Sequence, residues 1–267
     1  EGGKDFKPIF GVEAYFLPSI EEWRQELEKA KADKKAKKTI DKSSSGTTIE
    51  DEGNKREVKN ILNRRRHLIL LAQNQKGLNN IFSLVSKSYG ADNFYRFPRM
   101  DYDMLKEHSE GVIAASACLG GVLAGNYWEN IESGEKAVLT AMRDTTENMV
   151  SVFGDRWYGE LQWNNIKEQH QLNKLIVQVC AEYSVDLIST ADSHYPSRTA
   201  WKDRELYKRL GWLGKGRMPT WLSTELPINV EEIGYELFPK NGEQMWEAYK
   251  KYSNDVGCDF NDDLVRD

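Results

Sequence analysis

Short apolar segments alternate with helical patterns along most of this chain, and this alternation limits its fold more than any other feature. Segments such as "HLILLAQN" and "GVIAASA" are apolar with little polar alternation. Strands of this kind are typical of a sheet that is covered by helices on both faces. We therefore predict an α/β protein with parallel strands. At 267 residues, a (β/α) barrel fits better than two separate domains.

The individual elements can be placed from their apolar periodicity. Strands are predicted at 8–17, 67–74, 111–117, 156–163 and 185–192. Helices are predicted at 19–38, 76–89, 101–108, 134–153, 167–184 and 199–210, and two shorter helices within 229–251. The helix at 19–38 has Ser19 as its expected N-cap and Glu22 as the capping-box partner. A charged and Ser/Gly-rich stretch follows, so we predict that 19–63 forms a solvated arm.

Composition excludes few functions. The three cysteines, Cys118, Cys180 and Cys258, are odd in number and widely spaced, which argues against a disulfide framework and for a cytoplasmic, reducing compartment. The net charge of −5 gives no global signature of nucleic-acid binding, although a local basic patch can still bind DNA. We find no signal peptide and no apolar run that could cross a membrane.

Polar residues with metal-binding side chains lie in or next to several predicted strands. They are Glu13, His67, Cys118, Asp192 and His194. Asp192 and His194 are two apart in an extended segment, so their side chains point to the same side. Glu, His, Cys and Asp are ligands for zinc, and carboxylates also suit manganese or magnesium. Metal ions there would polarise a phosphoryl oxygen and activate water, which predicts metal-assisted phosphoester hydrolysis.

Each of these residues also has a structural explanation. An Asp-x-His sequence after a strand is common in turns that cap a helix, and Cys118 could be a small buried hydrophobe. His67 could simply open a strand beside the basic run before it. Glu13 is more specific, because a carboxylate buried in an apolar strand needs a partner. His108 and His170 lie in polar helical patterns, and we predict both at the surface.

Several segments, taken in order, carry a family resemblance. They are "KPIFGVEAYF", "RRRHLILLAQNQKGLNNIFSLVSKSY", "FPRMDYDMLKEHSEGVIAASACLGG", "WYGELQW" with "EQHQLNKLIV", and "LISTADSHY". They resemble the PHP (polymerase and histidinol phosphatase) domain of the alpha subunit of bacterial or phage DNA polymerase III, a family C replicative polymerase. The resemblance runs from about residue 7 to at least residue 210. It implies a distorted (β/α)7 TIM-like barrel with a metal cluster at the strand ends.

The resemblance also implies a ligand set. Glu13, His67, Cys118, Asp192 and His194 match family ligand positions, and Asp192 and His194 would be the catalytic pair. The implied cofactor is zinc or manganese, with magnesium as an alternative, and up to three ions in an intact site. The family's His-x-His pair, its Asp-His pair and its first strand are absent and would lie upstream of residue 1. We therefore expect an N-terminally truncated chain with weak or no activity of its own.

The same resemblance predicts a domain organisation. Residues 1–18 would begin the PHP barrel, and 19–66 would be a charged helical or flexible insertion similar to phage-type versions. Residues 67–228 would form the main barrel. Residues 229–267 would be a C-terminal helical part that leads towards a polymerase core outside this chain.

Three functions stay open at this point. The first is a phosphoesterase of the full-length polymerase, either a 3′–5′ proofreading exonuclease on a primer end or a pyrophosphatase, with Arg64, Arg65 and Arg66 neutralising the DNA backbone. The second is a structural or docking module for the rest of the alpha subunit, an exonuclease subunit or other replisome subunits. The third is a stand-alone phosphatase for a small metabolite, which the polymerase-type segments disfavour.

Overall fold

The computed structural model describes residues 7–41, 60–216, 222, 225–229, 235–255, 260 and 262–266. Residues 42–59, which make up most of the predicted polar loop, lie outside this described part. The chain divides into two compact units. The first comprises Glu1–Asn126 and Asp144–Tyr158, and the second comprises Tyr127–Arg143 and Gly159–Asp267. Within the described ranges, none of the helices combines the length and apolarity that a membrane span needs.

The strands and helices follow the predicted order. The strands are β1 (Gly11–Phe16), β2 (Arg66–Ala72), β3 (Phe94–Tyr95), β4 (Phe97–Pro98), β5 (Val112–Ala115), β6 (Trp157–Gln162) and β7 (Asp186–Thr190). The main helices are α1 (Ile20–Asp41), α2 (Gln75–Ser88), α3 (Tyr102–Glu107), α4 (Val122–Asn130), α5 (Glu135–Phe153), α6 (Lys167–Glu182), α7 (Trp201–Leu213), α8 (Gly242–Asp255) and α9 (Asp262–Arg266).

Five of the strands form one sheet in the order β1–β2–β5–β6–β7. β1 pairs antiparallel with β2, β2 antiparallel with β5, and β5 parallel with β6. The prediction of parallel strands is therefore wrong for the pairs β1–β2 and β2–β5. A continuous apolar run indicates that both faces of a strand are buried. Burial does not depend on strand direction, so the run could not predict whether neighbouring strands are parallel. The fold is mixed α/β, and the sheet is not closed into a barrel among the described strands.

The C-terminal prediction is tested only in part. We predicted two short helices within 229–251. Among the described residues of this range, the segment from Tyr235 to Asn241 is not helical, and α8 begins at Gly242. Residues 230–234 lie outside the described part. Asn241 caps α8, because its Oδ1 accepts from the Gln244 main-chain N–H at 2.9 Å.

The first half of α1 packs within the first unit instead of forming a solvated arm. Ser19 caps the helix as predicted, since its Oγ accepts from the Glu22 main-chain N–H at 3.1 Å. Trp23 and Leu27 are buried in a cluster with Ile61, and the Trp23 indole donates to the Ile61 carbonyl at 2.7 Å. The apolar spacing of α1 is thus used in packing, which the high charge of its second half obscured.

A buried arginine joins several parts of the first unit. Arg99 is 0% exposed, and its guanidinium donates to the carbonyls of Leu62, Arg64, Tyr95 and Phe97. It also lies 4.4 Å from the ring of Trp23. Burial, and then the nearby charge of Arg65, lower the pKa of Arg99 to about 10. The group therefore stays charged at neutral pH and satisfies carbonyls that would otherwise be buried without a donor.

Candidate metal centre

Strand register brings Glu13 and His67 together. In the antiparallel pair, Tyr15 lies opposite His67 and Glu13 opposite Ile69, so Glu13 and His67 are diagonal neighbours on one face. Glu13 Oε1 lies 2.5 Å from His67 Nδ1. The expectation of a buried carboxylate is wrong, because the Glu13 side chain is 46% exposed. The expectation that it has a partner is confirmed, and the partner is the imidazole.

The loop after β5 supplies the sulfur. Cys118 Sγ lies 3.4 Å from His67 Nδ1 and accepts from the Gly120 main-chain N–H at 3.4 Å. In the same loop, the Gly120 carbonyl accepts a hydrogen bond from the main-chain N–H of His67 at 2.9 Å. A Cβ at Gly121 would lie 2.0 Å from the Ser116 carbonyl oxygen, so the turn requires glycine there. The "SACLGG" segment thus holds both the sulfur and the histidine main chain.

Two of the candidate loops carry residues in the left-handed backbone region. Ala117, directly before Cys118, has φ 62°, and Asp192 has φ 45°. This conformation is costly for alanine and more accessible to aspartate. Such strain persists only where the surrounding structure holds it, and it concentrates at functional sites. Arg96 and Ser184, outside these loops, also have a positive φ, so this conformation by itself does not identify a site.

The three side chains form an electrostatically coupled group. Hydrogen bonds with Cys118 and then with Glu13 raise the pKa of His67 to about 10, against the opposing effect of burial. In this arrangement the imidazole is charged at neutral pH. Metal ligation requires its neutral form, so binding of an ion would release a proton.

The donor set fits one metal ion of the zinc class. One ligand atom each from Glu13, His67 and Cys118 lies within 4.8 Å of the other two. Sulfur and nitrogen ligands of a tetrahedral zinc ion are about 3.5 Å apart, given the usual Zn–S and Zn–N bond lengths. The observed separation of 3.4 Å between Cys118 Sγ and His67 Nδ1 agrees with this. Glu13 would have to retreat from its hydrogen bond to share the same ion.

The predicted basic run lies beside this group, and each arginine has intramolecular contacts. Arg64 forms a two-pronged ion pair with Glu26, an exposed residue of α1. The Arg65 guanidinium lies 3.9 Å from the Phe97 ring and 4.9 Å from the ring of Tyr15, which in turn contacts His67. Arg66 is the first residue of β2. Their contact with DNA stays a prediction.

Asp192 and His194 form a local pair in the second unit. His194 Nδ1 lies 2.6 Å from the Asp192 main-chain carbonyl and 3.8 Å from the Asp192 carboxylate. The His194 main-chain N–H donates to the Leu237 carbonyl at 2.7 Å. The structure thus brings three of the five predicted ligands together in the first unit and places the other two in the second. The assignment of Asp192 and His194 as ligands stays a prediction.

A buried polar network holds the strand that leads to this pair. Thr190, two residues before Asp192, donates to the Glu160 carboxylate, and Gln162 Nε2 lies 3.3 Å from both groups. Glu160 and Gln162 lie in the strand predicted at 156–163, and the sequence analysis did not single out Thr190. The signal was available, because buried carboxylates require donors and threonine ends the next strand.

The prediction that His170 lies at the surface is wrong. His170 is 0% exposed, packs near the Trp163 ring and has Nε2 2.8 Å from the Asn164 carbonyl. Burial lowers its pKa, so the ring is neutral at pH 7. The polar residues around it in sequence, Gln169 and Asn173, are buried too and hydrogen-bonded to each other, which is why a polar helical pattern gave the wrong answer.

The two described cysteines should differ sharply in reactivity. Cys180 is 0% exposed, and burial raises the pKa of its thiol to about 12, whereas Cys118 is partly exposed beside a charged imidazole. We expect iodoacetamide at pH 8 to alkylate Cys118 at least about 100-fold faster than Cys180. Zinc should protect Cys118, and a chelator should restore its reaction. Peptide mass spectrometry would measure this, and equal rates at the two cysteines would contradict it.

The fold and the centre define an α/β protein with a candidate Glu-His-Cys metal site. Residues 2–164 match the PHP domain family. The chain therefore belongs to the PHP family, a family of metal-dependent domains, as the sequence resemblance indicated.

Its relatives include DNA polymerase III alpha subunits. The chain is 35% identical over 189 residues to the DNA polymerase III subunit alpha of Aquifex aeolicus, covering 71% of this chain and 13% of that protein. It is 39% identical over 133 residues to the subunit of Borreliella burgdorferi, covering 49% and 11%. It is 28% identical over 213 residues to that of Chlamydia muridarum, covering 75% and 15%. The chain thus spans only a small part of these relatives.

Proposed function

We propose that this chain is the metal-binding PHP domain of a DNA polymerase III alpha subunit and contributes a phosphoesterase site. The observation that carries the proposal is the convergence of Glu13, His67 and Cys118 in a chain of the PHP family. The proposed reaction is 3′–5′ exonuclease proofreading at a DNA primer end, with pyrophosphate hydrolysis as the alternative substrate. A distorted (β/α)7 TIM-like barrel, the predicted domain boundaries and a cytoplasmic location belong to the same proposal.

Each residue of the candidate metal centre would have a separate role. A bound zinc or manganese ion supplies Lewis-acid stabilisation of phosphoryl charge and activation of water. Cys118 and His67 hold their donor atoms 3.4 Å apart through the glycine turn and the strand register. Glu13 is the more exposed partner, so it can change its contact without disturbing the core. Asp192 and His194 remain proposed ligands and the proposed catalytic pair.

Arg65 is the arginine whose position best supports a role with DNA. Its guanidinium stacks on Tyr15, and Tyr15 contacts His67, so its charge lies beside the candidate centre. Arg64 is held by an exposed ion pair, which typically contributes little stability and can be exchanged for a phosphate. Both would position a DNA backbone without reading its sequence.

The test uses the longest natural polypeptide that contains this chain, loaded with zinc or manganese. We expect metal-dependent release of nucleotides from the 3′ end of a labelled single-stranded oligonucleotide, and a loss of at least about 100-fold in Asp192→Ala. Asp203→Ala, which removes an exposed aspartate of α7, is the matched control and should retain activity. Absence of release, or equal release from Asp192→Ala, would refute the exonuclease; the same assay with pyrophosphate tests the alternative.

A non-catalytic structural or docking module is the second candidate. The specific observation in its favour is that Glu13, His67 and Cys118 already satisfy one another by hydrogen bonds. Such a group is stable without an ion. Metal analysis of the purified protein separates the two functions, because a centre that takes up no zinc or manganese cannot support the phosphoesterase.

A further inference from the structure

A polar cavity lies wholly within the second unit and is not used by the proposed phosphoesterase. It has a volume of about 180 Å³, below the range of cavities that hold drug-sized ligands. Its walls come from α8, from the segment before α8 and from the loop before α7. The lining residues that matter for the argument are Arg198, Glu236, Lys240, Lys251 and Tyr252.

Glu236 gives the cavity its chemical character. The residue is 7% exposed, and its Oε1 is buried with no hydrogen-bond donor among the described residues. The nearest cation, Lys251 Nζ, lies 3.9 Å away, which is an ion pair but too long for a hydrogen bond. A buried carboxylate oxygen without a donor is costly. A ligand that donates a hydrogen bond would therefore be favoured at this position.

Three cationic side chains line the cavity with this acceptor, and the exposed Glu247 is the second carboxylate in the lining. Lys240 donates to the main-chain carbonyl of Glu236 and lies 4.2 Å from the Phe238 ring, which fixes its ammonium group. Lys251 lies 4.9 Å from the Tyr252 ring, and Arg198 completes the set at the exposed side. Burial lowers the pKa of Lys240, so an anion beside it would relieve part of the desolvation.

The frame of the cavity is rigid. The Leu237 main-chain N–H donates to the Tyr195 hydroxyl at 2.8 Å, and Leu237 and Phe238 pack in a buried cluster with Tyr195 and Trp201. Asn241 and Gln244 cap the start of α8 reciprocally. The cations and the carboxylate are thus held on fixed elements, as a binding site requires.

We propose that this cavity binds a protonated phosphate group, whose P–OH donates to Glu236 and whose other oxygens accept from Lys240, Lys251 and Arg198. An anion without a proton would satisfy the cations but would place oxygen against the carboxylate. A simple cation would satisfy the carboxylate but would be repelled by three positive charges. An anion that also donates a hydrogen bond matches both features with a single group. The group can come from free phosphate or from the terminal phosphate of a nucleotide.

The first test compares phosphate with sulfate, which has the same shape but carries no proton at neutral pH. Both salts stabilise proteins non-specifically, so binding should be measured directly by calorimetry at constant ionic strength. We expect the whole chain to bind inorganic phosphate about 10- to 100-fold more tightly than sulfate. This ratio of affinities corresponds to the free energy of one hydrogen bond to a charged group. Equal binding of the two ions, or no binding of phosphate at millimolar concentration, would overturn the proposal.

The variants separate the carboxylate from the cations. Glu236→Gln replaces an acceptor by a donor of the same shape, so the preference for phosphate should disappear and sulfate binding should improve. Lys251→Met should weaken phosphate binding at least about 10-fold, since it removes a charge and keeps the stem. Lys250→Met is the matched control, because Lys250 pairs with Asp262 at 3.0 Å and does not line the cavity. An equal loss in both lysine variants would contradict a local site.

The source of the phosphate can be distinguished with the same variants. If the site takes the terminal phosphate of a nucleotide, a nucleoside monophosphate should bind at least as tightly as inorganic phosphate and compete with it at about pH 5, where a monoester with a second pKa of about 6 keeps its proton. If the site takes free phosphate, the monophosphate should bind more weakly, because the cavity of about 180 Å³ has no room for a base. Either result supports the phosphate site and assigns its source.

Discussion

Replacing His67 with glutamine is expected to reduce zinc affinity by a factor on the order of 100 or more. The imidazole is the central member of the group, since its Nδ1 contacts both Glu13 at 2.5 Å and Cys118 at 3.4 Å. Loss of a group that only supports a ligand costs about 10- to 100-fold in metal affinity, so loss of a ligand should cost at least as much. Equilibrium dialysis followed by elemental analysis measures the bound metal.

The controls for this prediction come from the same unit. His108→Gln removes a partly exposed histidine that pairs weakly with Glu107 at 3.7 Å, and it should leave zinc binding unchanged. Glu13→Gln changes an exposed side chain, so it should fold normally and still weaken binding. If a folded His67→Gln protein bound zinc as tightly as the unmodified chain, the candidate centre would be excluded as a metal site.

The second large effect is expected at Arg99. Arg99→Lys should lower the free energy of unfolding by about 2–4 kcal/mol, because a lysine ammonium cannot reach the four carbonyls that the guanidinium serves. Those carbonyls belong to two separate stretches of the first unit, one at residues 62–64 and one at 95–97, which Arg99 joins beside the ring of Trp23. Denaturant-induced unfolding, followed by circular dichroism, gives the change.

Arg96→Lys is the matched comparison for Arg99. Arg96 is exposed, and its guanidinium lies 5.7 Å from the Tyr95 ring, so its replacement should change stability by less than about 0.5 kcal/mol. A similar loss in both variants would mean that the buried hydrogen bonds of Arg99 contribute little. Retention of full stability in Arg99→Lys would contradict the prediction directly.

Much of the local structure could be predicted from the sequence. The strand predicted at 67–74 is Arg66–Ala72, and the helix predicted at 76–89 is Gln75–Ser88, because apolar periodicity depends on neighbouring residues alone. The Ser19 cap was also recoverable, since the cap and its N–H donor are three residues apart. The family and the three residues of the candidate centre followed from motifs that stand intact in the chain.

The errors share a physical cause. The direction of β2 relative to its neighbours and the burial of His170 depend on partners that are distant in sequence or hidden by a polar local pattern. The role of Arg99, for which the sequence analysis made no prediction, depends on distant partners too. The guanidinium of Arg99 donates to the carbonyl of Leu62, which is 37 residues away in sequence, at 2.6 Å. No local rule anticipates such a contact.

The sequence by itself determined where strands and helices form and that ligand-type side chains lie in or next to strands. Only the tertiary structure decided which of them meet. His67 and Cys118 are 51 residues apart, and they come within 3.4 Å because β2 pairs with β1 and β5 in one register. A shift of one residue would turn the His67 side chain to the opposite face. Register is fixed by long-range hydrogen bonding and burial, and these exist only once the chain has folded.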